Sequence, residues 1–391
     1  MSEATRVCER PVRASVYTSS YRGGASWFVL ELAAGMAAAG GDVVLIAPKA
    51  DPEEREQAVR KTRRIWLPRG SYGKGSRLVR LTRTAARIAA SFIAFARARR
   101  HSRVFVISFY DWLIVMVLQQ LWIRLLGGYV IYVVHDAKPH AWSSSPIMRR
   151  LEVALLRLTY RIPQQLVTLT QVAKHQVISD FGRAGPVSVI PHGSYKKKLN
   201  NKLSGGRIVL AFGTLRRNKR IIETIEGVKK AVGAGFDLKL VIAGSPHKED
   251  EDYWNYCSKH LLGTEKFIST EIGFVPESRV DELISRCDAV ILPYEEFSSQ
   301  SGVAVLAACS ERVLICTNSG GLSELHANGL EPIFIDRPVT SESVADALCR
   351  FASYHETDLR SQAERSRVAL EHYLSWDRIG KEYLDICKIG Q

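Results

Sequence analysis

A chain of 391 residues is long enough for two domains, and 46% apolar with 24% charged residues reads as globular and excludes a disordered polymer. A formal charge of +14 calls for an anionic counterpart: nucleic acid, an anionic membrane face or a phosphorylated substrate. Seven cysteines, odd in number, scattered and without a C-x-x-C pair, argue against a disulfide framework or a zinc site and for a reducing compartment.

In chain order, Met1 to Arg13 is polar and lacks the apolar core of a signal peptide, which points to the cytoplasm. Ala14 to Tyr17 reads as a strand, followed by a polar turn with Gly23-Gly24, a helix from Ala25 to Ala39 stopped by Gly40-Gly41, and a buried strand from Val43 to Ala47. Gly23 and Gly24 lack the dinucleotide-binding spacing. They form either a plain turn or a place where backbone approaches a substrate closely. Leu78, Leu81, Ala85, Ile88, Phe92 and Phe95 recur at helical spacing, with Arg77, Arg80, Arg83 and Arg87 on another face. Such a helix either packs its apolar seam on a sheet or rests on anionic lipid headgroups. Trp112 to Leu126 is very apolar, yet Gln119, Gln120 and Arg124 break it into runs too short to span a bilayer, so it reads as a buried or interfacial helix.

Two further strands deliver acid and base groups to their carboxyl ends. Val104 to Ser108 leads to Asp111, and Tyr129 to Val134 leads to His135-Asp136, with Lys138, Pro139 and His140 beyond. A general base belongs in such a place, although a lone histidine there also serves as a structural hydrogen-bond partner. Leu166 to Thr170, a helix from Gln171 to Phe181 and Val187 to Ile190 close the first sheet. Pro191-His192-Gly193-Ser194-Tyr195, a lysine run and a polar stretch to Gly206 then read as a linker.

The second half alternates short apolar runs with polar turns. Ile208 to Phe212 runs into Gly213-Thr214-Leu215-Arg216-Arg217-Asn218-Lys219, and Leu238 to Ala243 into Gly244-Ser245. Ala289 to Leu292 runs into Pro293-Tyr294-Glu295-Glu296, and Val313 to Cys316 into Asn318-Ser319-Gly320-Gly321. This is the grammar of a doubly wound parallel sheet, whose ligand lies across the carboxyl ends of the strands. Arg216, Arg217 and Lys219 supply cationic donors there, and Ser301-Gly302 opens the helix Val303 to Cys309, whose first amides suit a phosphate. A sugar diphosphate fits both. Glu249 to Asp252 reads as a solvated acidic loop, and no nucleic-acid recognition module is evident.

Phe212 to Lys219, Gly273-Phe274-Val275, Asp288 to Tyr294, Ser301-Gly302 and Gly320 to Glu324 together resemble the bacterial GT-B glycosyltransferases, especially those of exopolysaccharide assembly. The resemblance implies an α/β architecture of two Rossmann-like doubly wound domains. It puts an acceptor-binding domain at 1–198, a nucleotide-sugar-binding domain at 199–370, and a C-terminal helix at 371–391, opened by Trp376-Asp377, that crosses back. It implies that Arg217 and Lys219 bind the donor diphosphate, that the backbone of Gly273, Phe274 and Val275 lines the nucleobase, and that Glu296, Ser301 and Gly302 face ribose, diphosphate or sugar. Gly213, Thr214, Gly244 and Tyr294 join that donor set, while Gly23, Gly24 and His192 fall on the acceptor side. Where many retaining members carry a second glutamate on the helix, this chain has Leu306, so retaining and inverting chemistry both stay open; an inverting enzyme takes its base from Asp136, Asp111 or His135. No metal and no cofactor beyond the donor is expected. The implied activity is transfer of a hexosyl unit from a UDP- or GDP-sugar to a lipid-linked saccharide, by a cytoplasmic enzyme peripheral to the membrane. The competing readings are a nucleotide-sugar 2-epimerase and a non-catalytic GT-B partner subunit.

Overall fold

The computed structural model of the chain describes residues 10–21, 23–49, 59–69, 76–109, 112–138, 145–194, 203–247, 250–295 and 297–391. It divides into two compact units. The first comprises Met1–Leu169, Lys174–Gly193 and Trp376–Gln391, and the second Thr170–Ala173 and Ser194–Ser375. The chain therefore passes into the second unit at Gly193, before the lysine run, and returns at Trp376.

In the first unit, β1 (Arg13–Tyr17), α1 (Gly23–Ala38), β2 (Asp42–Pro48), β3 (Arg63–Leu67), α2 (Arg77–Arg99), β4 (Val104–Ile107), α3 (Leu113–Leu125), β5 (Tyr129–Val134), α4 (Pro146–Arg161), β6 (Gln165–Thr168), α5 (Gln171–Ser179, whose residues up to Ala173 belong to the second unit) and β7 (Val187–Val189) follow one another. The strands form one sheet in the order β3-β2-β1-β4-β5-β6-β7, with every pairing parallel. Central strands covered on both faces run apolar, and β4 is Val104-Phe105-Val106-Ile107 with all four residues buried, while β5 buries all but its first residue. Strand order reverses between β1 and β4. Because parallel crossovers are right-handed, the helices of the two directions take opposite faces of the sheet: α2 lies beside α3 and α3 beside α4.

In the second unit, β8 (Ile208–Phe212), α6 (Ile221–Gly233), β9 (Lys239–Gly244), α7 (Glu251–Lys259), β10 (Ile268–Ile272), α8 (Glu277–Arg286), β11 (Ala289–Leu292), α9 (Gly302–Cys309), β12 (Val313–Thr317), α10 (Gly321–Ala327), β13 (Ile333–Ile335), α11 (Ser341–Ser353) and α12 (Glu356–Tyr373) build a parallel sheet ordered β10-β9-β8-β11-β12-β13. The buried Asp288 stitches its first residues in place. Its Oδ2 accepts from Ser204 Oγ at 2.8 Å and from the Ile208 amide at 2.9 Å.

The final helix, α13 (Trp376–Ile389), packs along α1 in the first unit. Two glycines make the approach possible: a Cβ on Gly380 would lie 2.4 Å from the Gly35 backbone, and one on Gly35 would lie 2.5 Å from the Trp376 carbonyl oxygen. The Trp376 ring is fully buried against Gly193, where a Cβ would intrude to 2.3 Å.

Helix α2 does not pack the whole of its apolar seam on the sheet. Leu78 and Leu81, assigned to an apolar seam, are exposed, as is Ala85, whereas Phe95 is buried. Arg80 and Arg83 face solvent, but Arg87 is turned inward and buried. The cause is length: at 23 residues the helix outruns the four-residue strand β4 that follows it, and only its C-terminal half has sheet to cover.

Candidate functional site

In the second unit, strand order reverses between β8 and β11, and every donor-side residue expected from the sequence and described by the structure lies at the carboxyl end of a strand or after it. The floor is backbone. The Gly213 amide donates to the Ala243 carbonyl at 3.0 Å, and the Gly273 amide to the Gly244 carbonyl at 3.0 Å. Gly244 has φ +141° and a Cβ there would sit 1.9 Å from the Gly213 oxygen; Gly213 has φ +113° and its Cβ would sit 2.6 Å from Lys219 Nζ. Only glycine fits either position. Thr214 is exposed beside this floor, Phe274 stands 85% exposed, and Val275 packs in part against the core.

Lys219 ends a 3-10 turn, Arg217–Lys219, and folds back so that Nζ donates to the Phe212 carbonyl at 3.2 Å, 5.8 Å from the centre of the Tyr294 ring. Withdrawal from water, and then the positive charge of Arg216, bring its pKa down to about 8. Arg217 goes elsewhere. Its Nη2 lies 2.6 Å from Asp252 Oδ2 and its Nε 3.4 Å from Asp250 Oδ1, with the guanidinium over the Tyr253 ring. The expected convergence of Arg217 with Lys219 is thus not the arrangement of this structure, and the acidic stretch read as a solvated loop is the partner of Arg217. The guanidinium that acts on Lys219 is that of Arg216.

The other wall is the start of α9. Ser301 is its N-cap and accepts from the Ala304 amide at 3.2 Å; the buried Tyr294 phenol hydrogen-bonds the Ser301 side chain, and burial pushes its pKa up. Val303 in the first turn of α9 stands opposite Gly213, 3.9 Å from where a Cβ would be. Gly213, Lys219, Tyr294, Ser301 and the first turn of α9, opened by Gly302, therefore gather at one point. The loop into α9 is held down by close approach: a Cβ on Gly320 would lie 1.4 Å from the Phe297 oxygen, and one on Gly321 2.2 Å from the Ser299 oxygen. Glu324 on α10 accepts from the Gln171 and Val172 amides at 2.7 and 3.3 Å, all three residues lying in the second unit. Glu295 is bound in structure, accepting from the Val339 amide at 2.9 Å and lying 3.5 Å from Arg220 and from Arg337. Glu296 lies outside the described residues, and Leu306 is buried in the core.

In the first unit, His135 Nε2 lies 2.8 Å from Ser108 Oγ at the end of β4, and its ring stacks on Phe109 at 4.0 Å and meets the edge of Phe28 at 4.8 Å. His192 Nδ1–H donates to the Gly193 carbonyl at 2.7 Å inside a cage of Trp27, Phe28 and Trp376. Burial, and then the neighbouring His192, hold the pKa of His135 down to about 3; burial holds that of His192 down to about 4. Both rings are neutral at pH 7, and a base that weak is ill matched to accept a proton there. This demotes His135 from the candidate bases. Asp136 is half-buried next to it, while Asp111 lies outside the described residues. At the start of α1, Gly23 has φ +65° with open space where its Cβ would be, and Gly24 is exposed. Ser108 and the aromatic cage were not legible as partners of the histidines, because they come from three separate segments of chain.

Among the described residues no group of His, Cys, Asp or Glu gathers in a way that would hold a metal ion, and no helix is long and apolar enough to cross a membrane.

Residues 23–193 match the family described as glycosyl transferase 4-like domain, and residues 195–365 match glycosyl transferases group 1. A curated relative, the lipopolysaccharide 1,2-N-acetylglucosaminetransferase of Salmonella typhimurium, is 21% identical over 214 residues, covering 51% of this chain and 56% of that protein. Among solved structures, Anabaena HepE in complex with UDP and glucose superposes with a TM-score of 0.70 at 15% identity, over 97% of this chain and all of that one. Sucrose-phosphate synthase from Thermosynechococcus elongatus gives 0.69 at 15% identity, over 97% and 99%. At such identities the likeness is one of fold.

Proposed function

From a chain that belongs to the group 1 glycosyltransferases and carries their GT-B fold, we propose transfer of a hexosyl unit from a UDP- or GDP-sugar to a lipid-linked saccharide in exopolysaccharide assembly. The observation that carries the donor half is the gathering of Gly213, Lys219 and the first turn of α9 at the carboxyl edge of β8 and β11. The glycine floor lets a diphosphate approach backbone. Lys219, Arg216 and the free amides of α9 offset the charge that grows on it as the sugar leaves, in a metal-independent reaction. UDP is favoured over GDP by the Anabaena neighbour, which was solved with UDP-glucose.

In the transfer, an acceptor hydroxyl oxygen attacks the anomeric carbon, the bond from that carbon to the diphosphate oxygen breaks, and its electron pair stays on the diphosphate. The acceptor proton goes to a base. With His135 held neutral and weak, and Leu306 in place of a carboxylate on α9, that base is Asp136 or Asp111. The first unit takes the acceptor near Gly23, Gly24 and His192. A lipid-borne acceptor at the inner face of the membrane is supported by the charge of +14 and by the lipopolysaccharide-modifying relative.

The test is incubation of purified protein with a panel of nucleotide sugars and a membrane-lipid extract, following nucleoside diphosphate release. The expected outcome is release from one donor only, dependent on the extract. No release from any donor, with the protein folded, would sink the proposal.

A further inference from the structure

Helix α3 is apolar on both sides: Val115, Met116, Val117 and Ile123 are buried, and a second apolar stripe faces out. Its polar pair faces inward: Gln119 Nε2 donates to the Tyr17 hydroxyl at 3.0 Å and to Ser91 Oγ at 2.9 Å, and Gln120 Nε2 donates to the Thr159 carbonyl at 3.2 Å. Its outward stripe is Ile114, Leu118, Leu121 and Leu125, one residue per turn, the last 80% exposed. The neighbouring α4 repeats the spacing with Ile147, Leu151, Ala154 and Leu158, and Ile147 is 78% exposed. On the far side of α3, α2 turns out Leu78, Leu81 and Ile93. Three adjacent helices thus present apolar rows where water-facing side chains belong, and Trp112 caps the start of α3 half exposed.

What borders these rows identifies the occupant. The three helices carry arginines but no lysine, and a single acidic residue, Glu152. Arg80, Arg83 and Arg97 on α2, Arg124 on α3, and Arg149 and Arg150 on α4 are exposed. A second copy of this chain would bring arginine against arginine. A bilayer of anionic lipid takes both features at once, apolar rows into the acyl-chain boundary and guanidinium groups onto phosphates.

We propose that the face formed by α2, α3 and α4 is a membrane-docking surface that seats the first unit on anionic lipid. It deepens the lipid-linked acceptor reading, and rests on that reading only for why the enzyme needs a membrane.

Flotation of the full-length protein with vesicles of phosphatidylglycerol and phosphatidylcholine, and with phosphatidylcholine alone, tests it. The wild type should float with the anionic vesicles at low salt and less as salt rises. The double variant Leu118→Glu/Leu121→Glu, both positions exposed, should lose at least ~100-fold in partitioning, since each leucine removed from the lipid costs about a factor of ten. Arg149→Glu/Arg150→Glu should lose the preference for anionic lipid. Unchanged thermal unfolding would establish that these variants are folded. A wild type that does not float at low salt, or a leucine variant that floats as well as the wild type, overturns the proposal. So does a dimer in sedimentation equilibrium that the leucine variant dissolves, which would assign the face to a second copy. Diphosphate release with detergent-solubilised acceptor separates the two readings: release without vesicle binding removes the docking surface alone, and binding without release removes the reaction alone.

Discussion

Lys219 is the cation at the centre of the proposed donor site, and its depressed pKa gives that role a signature. Among the described residues its ammonium meets the Phe212 carbonyl and the face of the Tyr294 ring, and in the proposed donor site its anionic partner is the diphosphate. Lys219→Ala should lower kcat/KM by at least ~100-fold, the scale of one preorganised charge donor. Arg217→Ala, whose exposed side chain is already paired with Asp252, should lose less than about tenfold. Calorimetry gives a second check. Affinity for UDP should fall as pH rises through about 8, where free Lys219 loses its proton, and Lys219→Arg should abolish that limb because arginine stays charged. The histidines predict an effect on stability. Folded His135 and His192 refuse protons that the unfolded chain takes up below its ordinary 6.5, so both contribute stability that is present above that pH and lost as pH falls toward 4. His192→Gln should flatten the decline in unfolding free energy across that window, measured by urea titration. The chemistry of these residues was legible in the sequence, but their pairing was not. Arg217 and Lys219 are two residues apart and were read together; what separates them is an acidic pair more than thirty residues downstream on a different helix.

Among elements, the strand ends that run into glycine were the clearest text, because only glycine lets two backbones touch there. Gly244→Ala should cost about 2–4 kcal/mol, from a Cβ placed against the Gly213 oxygen and a backbone angle that alanine resists. A shift of the urea midpoint at constant slope would measure it, and wild-type stability would contradict the close approach. The strands that went unread are those where the usual signal is absent. At the sheet edges, β3 opens with Arg63-Arg64 and β10 keeps Ser269 and Thr270 exposed, while β13 is only three residues long. Helix α4 escaped notice for a different reason: apolar residues stand on its outward side as well as its buried one, so no single apolar face marks the period. The same two-sided apolarity made α3 read as either buried or interfacial. Periodicity alone gives the helix and not the side that faces in.

At the scale of the whole molecule, the covalent order and the packing order differ, because the last helix of the chain belongs to the first unit. Trp376 is the residue on which this return is fastened: fully buried, its ring fills the space over Gly193 and borders His192, Trp27 and Phe28, while its carbonyl meets Gly35. Removing it leaves a large void in the first unit alone, since the cores of the second unit are built from residues between Leu203 and Leu374. Trp376→Ala should therefore cost about 3–5 kcal/mol, the range for truncating a buried aromatic side chain, and should lower the stability of one unit only. Calorimetric unfolding of the full chain should separate into two transitions, the upper one still raised by UDP as mass action requires of a ligand held by the intact second unit. A single transition lowered as a whole, or one in which UDP no longer protects, would mean that the two units share their stability and that the donor site depends on the helix that closes the first.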